Sequence, residues 1–198
     1  MMGKTALALA ITLALRPAIA AAQTTSLEHR QVAFGDLGYA RVFDDEGFLG
    51  SGVSVSGGMG FRLTPGKTIQ GIIDYLPYHR DVEWLTFDGR VVFVGAEIAF
   101  QSNRPKARPF VTVGVGFFDD RGTWIQKRQI SVTQRIEEPP IARDFTLAAM
   151  TSSAGIDIHV SEQASIRVGV RFHGLLDTGD DLAPHTIFRP SIGALWRW

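Results

Sequence analysis

The chain has 198 residues, with 20 basic and 20 acidic side chains and no cysteine. Its near-neutral charge offers no electrostatic footprint for a nucleic-acid partner, and the missing cysteines exclude both a disulfide framework and a thiolate metal site. Beyond the first two dozen residues, charges and glycines interrupt every apolar stretch, which excludes a membrane-spanning helix there.

The N-terminus reads as an export segment. Lys4 precedes an apolar run over residues 5–15, and small residues follow at Ala18, Ala20, Ala21 and Ala22. This is the charged, apolar and small-residue order of a signal peptide, and the run is too short to cross about 30 Å of hydrocarbon as a helix. We therefore expect a signal peptide over residues 1–22 and one domain over 23–198. Removing Lys4 and Arg16 leaves 18 basic against 20 acidic side chains.

The remainder alternates with period two. Strands are expected at residues 32–43, 53–63, 68–76, 92–100, 110–118, 145–160, 166–172 and 187–198. The clearest is FVTVGVGFF, where Val111, Val113, Val115 and Phe117 oppose Thr112, Gly114 and Gly116. Each run is near the length that a tilted membrane strand needs. Phe145 and Leu147 fall on the wrong parity relative to Ile156 and Ile158, so a bulge or a later start is expected there. Pro190 cannot donate to a ladder and predicts a bulge or a strand end.

The polar faces carry glycine, serine and charges of both signs. By parity they include Asp36, Arg62, Asp74, Glu97, Asp157, Arg167, Arg171 and Arg189, four acidic and four basic. A solvated sheet face needs no such balance. The packed interior of a narrow barrel does, because ion pairing offsets the cost of burying charge. The expectation is a closed, antiparallel, up-and-down transmembrane β-barrel of about eight strands. The links at 64–67, 102–108 and 161–164 are short, whereas three of the four alternate links, 77–89, 119–143 and 176–186, are longer and only 44–50 is short, the asymmetry of bacterial outer-membrane barrels.

The chain ends SIGALWRW. Ser191, Gly193, Trp196 and Trp198 match the polar, glycine, apolar and terminal-aromatic pattern of a C-terminal barrel-assembly signal. With this motif and the strand pattern, the chain resembles the OmpA/OmpX-like eight-stranded outer-membrane family over residues 28–198. The resemblance implies an integral outer-membrane protein with a structural or surface-interaction role. Its implied partners are outer-membrane lipids, lipopolysaccharide, the barrel-assembly machinery and a ligand of the outer loops.

No cofactor, metal or catalytic site is expected. The five histidines show no ligand spacing, and His159 and His173 fall on inward parity. Only the stretch around His173 sets a histidine beside acidic and hydroxyl groups, Asp177 and Thr178, and it contains no serine. A lipid A-modifying barrel enzyme is the alternative, to be recognised by a histidine and a hydroxyl meeting at the lipid-facing rim. A secreted lipocalin-like binder is another, requiring the apolar faces to point inward. Lys127, Arg128 and Arg135 could meet lipopolysaccharide phosphates, although a solvated loop, or a hairpin extending beyond the bilayer, is the preferred reading of residues 119–143. Trp84 and Trp124 are candidate interfacial anchors.

Overall fold

The computed structural model describes residues 31–44, 47–102, 106–131, 134–175 and 186–198. The export segment and the Asp177–Thr178 stretch lie outside these. In chain order the strands are β1 (Gln31–Asp44), β2 (Gly47–Thr64), β3 (Lys67–Val82), β4 (Leu85–Gln101), β5 (Ala107–Ser131), β6 (Gln134–Glu137), β7 (Ile141–His159), β8 (Ala164–Leu175) and β9 (Thr186–Arg197). Among the described residues, eight of them form an antiparallel ring, β1-β2-β3-β4-β5-β7-β8-β9, closed by β9 against β1. The short β6 pairs with the tip of β5. At the closing seam Gln31 and Trp198 exchange two backbone hydrogen bonds, of 2.9 and 3.1 Å.

Alternation decides what each face meets. Val111, Val113, Val115 and Phe117 on β5 point outward, as do Val53, Val55 and Met59 on β2 and Ile166, Val168 and Phe172 on β8. On β4 the outward apolar run covers Val92 to Phe100. Nine residues tilted by about 40° cover about 23 Å, close to the apolar band of a membrane barrel. Trp196 and Trp198 face outward at the short-turn end, and Tyr39, Tyr75 and Phe117 at the other, where aromatic girdles belong. The lipocalin-like arrangement, with apolar faces turned inward, is the opposite of what this belt shows.

Beyond the belt at the long-hairpin end, the same strands exchange the polarity of their faces. On β3 and β4 the outward residues become His79, Asp81, Asp88 and Arg90, while Tyr78, Leu85, Phe87 and Val91 turn inward and are buried. The apolar residues change sides while the pleat continues unbroken, the pattern of a sheet whose outer surface passes from an apolar medium into water.

This inversion corrects several expectations. Phe145 and Leu147 require no bulge: the β5–β7 register runs unbroken from Ala107↔Ile158 to Trp124↔Ile141, and both residues face the upper core. The segment 77–89 is strand rather than loop, with only Glu83 and Trp84 between β3 and β4. Much of 119–143 likewise extends the β5–β7 hairpin. Pro190 sits in unbroken register with Val170 on β8, and the β1–β9 pairing lapses only between Gly38↔Ser191 and Arg41↔Phe188. Trp124 faces inward and packs against Phe87 at 5.8 Å. Trp84 stands at a hairpin tip about 20 Å beyond the belt by strand geometry. Neither tryptophan is a lipid anchor.

The closing seam sets the first prediction. A Cβ on Gly193 would lie 2.1 Å from the carbonyl oxygen of Gly35 on the neighbouring strand. Gly193→Val should therefore abolish the folded species, or destabilise it by about 1–3 kcal/mol or more. The readout is the mobility difference between unboiled and boiled samples on a denaturing gel.

Candidate functional site

The barrel interior holds two polar clusters beneath an apolar plug. In the cluster nearer the short turns, Arg167 donates two hydrogen bonds to Asp157, at 2.8 and 2.9 Å. Its guanidinium lies between the Phe110 ring, 4.3 Å away, and the Phe34 ring, 5.3 Å away. Gln101 donates a third bond to Asp157, at 2.5 Å. Arg197 donates to Ser165 at 2.8 Å and lies 3.9 Å from Asp157. The carboxylate is thus saturated by neighbouring strands, which compensates for its burial.

In the cluster farther in, Glu97 accepts from Gln70, from Thr112 at 3.0 Å and from Arg171 at 3.3 Å. Arg171 also lies 3.6 Å from Asp74, and His173 Nε2 is 2.9 Å from the same carboxylate. Arg189 pairs with Asp36 and donates to Ser54 at 2.7 Å. Of the eight inward charges named from parity, these two clusters bring together seven. Arg62 stands apart, half-buried at the short-turn end and donating to the Pro65 carbonyl at 3.0 Å. Arg197, Gln70, Gln101 and Thr112 also belong to the clusters. Parity places all four inward, but their register across distant strands is not legible in one sequence.

Above the polar clusters the ring of His173 packs against Phe93 and Phe118, at 4.7 and 5.3 Å. Leu76, Val91, Ala149 and Ile187 complete a plug with no solvent exposure to speak of. The enclosed cavity nearest the short turns is about 10 Å³, room for about one water molecule. His173 is sealed inside, so the stretch around it presents no imidazole to lipid.

The larger concavity lies outside the barrel. A trough of about 700 Å³ runs across β2, β3, β4, β5 and β7 just beyond the belt, and Ser51, Tyr75, His79, Asp88, Arg90 and Arg121 contribute to its lining. Its floor is drawn inward at Gly89, where a Cβ would meet the Tyr78 ring at 2.4 Å. Tyr78 itself donates to Asp120 at 3.1 Å, tying the floor to the lumen. In the trough, His79 Nδ1 lies 2.6 Å from Asp88 Oδ1. Arg121 stands 3.4 Å from Asp119 and 3.5 Å from Asp144. Arg90 has no hydrogen-bond or ion-pair partner among the described residues. Farther out, Lys127 pairs with Asp81. This contact and a Thr86 hydroxyl hold the Asp81 carboxyl below the usual carboxylate range. Arg128 is exposed, and nothing is described for the Arg135 side chain.

On β9, Ser191 and Gly193 face inward, while Trp196 is 51% exposed and Trp198 43% exposed on the outer face.

The lower cluster makes a quantitative prediction. Asp157→Asn leaves Arg167 and Arg197 buried without their counter-charge and should cost about 3–5 kcal/mol. Pairing Asp157→Leu with Arg167→Met should recover much of that loss. Urea titration of the detergent-folded protein, followed by its β-sheet circular dichroism, measures both.

No protein-family model matches the chain, and no curated protein matches it in sequence. Solved structures do match in fold. Neisserial surface protein A is 12% identical at a TM-score of 0.60, covering 85% of this chain and 97% of its own. The attachment invasion locus protein Ail of Yersinia pestis, in complex with the heparin analogue sucrose octasulfate, is 13% identical at 0.53, covering 85% and 99%. The N-terminal β-barrel domain of Pseudomonas aeruginosa OprF is 15% identical at 0.50, covering 86% and 98%. Each match spans nearly the whole of the solved barrel, and the chain has the fold of the eight-stranded outer-membrane β-barrels of the OmpA/OmpX/Ail type.

Proposed function

We propose that the chain is an integral outer-membrane protein with a structural and surface-interaction role, the short turns in the periplasm and the long hairpins outside the cell. The observation that carries this reading is the inversion of face polarity. The strands are apolar outward over about 23 Å and polar outward beyond it, as a ring passing from lipid into water must be. The plugged lumen argues against a general pore, because Phe93, Phe118 and Leu76 fill the cross-section that a solute would need.

On this reading the exported chain loses residues 1–22. Ser191, Gly193, Trp196 and Trp198 form the signal read by the barrel-assembly machinery. The outward tryptophans suit that role, since they remain accessible while the strand is still unpaired. The partner surface is the rigid lobe built by β3, β4, β5 and β7. Ail has been solved with a sulfated heparin analogue, so a barrel of this fold can hold an anionic carbohydrate. By analogy, the Arg90 and Arg121 side chains of the trough and the exposed Arg128 are the cations that would face lipopolysaccharide phosphates or an extracellular polyanion.

Two measurements test the reading. An epitope inserted between Glu83 and Trp84 should be stained on intact cells; staining only after permeabilisation would reverse the orientation. In planar bilayers the purified protein should insert without conductance steps. Steady ion currents from the wild-type protein would overturn the plugged lumen.

A further inference from the structure

Three residues of the external trough form one cross-strand row. Ser51 on β2 is the register partner of His79 on β3, and His79 is the register partner of Asp88 on β4. All three sit on outward parity, and directly opposed residues hold their Cβ atoms about 4.5–5.5 Å apart. Nδ1 of His79 is engaged by Asp88 at 2.6 Å. With Nδ1 held by Asp88 on β4, Nε2 is the ring nitrogen left for Ser51 on β2, the register partner on the other side. The serine hydroxyl shares a 2.6 Å hydrogen bond with the Tyr39 hydroxyl, and pairing with the imidazole would require it to leave that partner by rotation about its Cα–Cβ bond.

We propose that Ser51, His79 and Asp88 are the nucleophile, base and orienting carboxylate of an acyl-ester hydrolase site, acting on lipids of the leaflet around the long-hairpin end. This rests on the membrane reading above and adds chemistry to it. The order orienter–base–nucleophile across neighbouring strands is the arrangement that nucleophilic acyl transfer requires. Its position selects the substrate. Ser51 lies two residues beyond Val53, an outward apolar residue of β2, and so about 5 Å above the hydrocarbon. Lipid acyl esters lie at that depth, and the trough is open to the side from which a headgroup would enter.

The chemistry closes with water as the sole co-reactant. Ser51 Oγ attacks the ester carbonyl carbon as His79 Nε2 takes the hydroxyl proton. Arg90 shares the outward face of β4 with Asp88, lines the same trough and has no side-chain partner among the described residues, so it is the cation that would swing to the oxyanion as it forms. The bond to the leaving alkoxide breaks as His79 returns the proton to it, giving the lipid alcohol and an acyl-Ser51 ester. A water molecule then attacks the acyl carbon, its proton passing to His79. The bond to Ser51 Oγ breaks, Ser51 recovers the proton, and a fatty acid leaves.

The test uses the full mature chain folded in detergent and reconstituted into vesicles of phospholipid alone or of phospholipid with lipopolysaccharide. A fluorophosphonate probe should label one serine, located at Ser51 by peptide mass spectrometry. Fatty acid should be released from one vesicle type or both, which identifies the lipid source. Ser51→Ala should lose label and release together. His79→Gln should lower both by about 100-fold or more, and Arg90→Gln should lower release more than vesicle binding. Each variant is checked for the boiled-versus-unboiled gel shift, and the barrel is closed without these exposed side chains. An inserted, gel-shifting wild-type protein that neither labels nor releases fatty acid overturns the catalytic site and leaves the membrane reading standing. Labelling that persists in Ser51→Ala also overturns it. A chain that neither shifts nor inserts overturns both readings.

Discussion

Backbone pairing in a medium without water is the constraint from which the rest of the structure follows. An unpaired peptide group in hydrocarbon costs several kcal/mol, so a sheet that crosses lipid must close on itself. Here closure is made by β1 and β9. The seam is close enough that Gly193 and the Gly35 carbonyl leave no room for a side chain between them. Eight strands give a ring too narrow for anything but its own side chains. Once the ring is closed, the contents of the lumen become a problem of satisfying polar groups in a confined space.

The two internal clusters answer that problem locally. Asp157 draws its partners from β8, β4 and β9, while Glu97 gathers Gln70 from β3, Thr112 from β5 and Arg171 from β8. Such contacts contribute to the uniqueness of the strand register as well as to stability, since a slip by one residue would place these charges in lipid. The aromatic stack of Phe93, Phe118 and His173 then ends the polar region and begins the apolar core of the projecting lobe. A rigid, plugged barrel of this kind is suited to presenting a surface. Among the described residues, the surface it presents is a formed sheet with a trough just beyond the apolar belt.

That trough gives the outer lobe chemical character. It combines a carboxylate-bonded imidazole, a guanidinium without a partner among the described residues and a serine hydroxyl on three adjacent strands, just beyond the apolar belt. The pinched floor depends on Gly89 above the Tyr78 ring, so the outer shape is set from inside the barrel. Packing in the lumen and chemistry at the rim are therefore coupled through a single layer of backbone.

By itself the sequence determined the fold class, the number of strands in the ring and the facing of residues within the belt, because each period-two segment marks one strand and alternation assigns its two faces. The inward parity of Asp36, Asp74, Glu97, Asp157, Arg167, Arg171 and Arg189 was legible for the same reason. The strand ends beyond the belt were not, since Phe145, Leu147 and Tyr78 read as breaks in a pattern that in fact continues with its polarity exchanged. Nor were the partners of each charge, or the row that joins Ser51, His79 and Asp88 across 37 positions of chain. Those depend on register between strands, and only the closed ring decides which residues three strands bring to the same level.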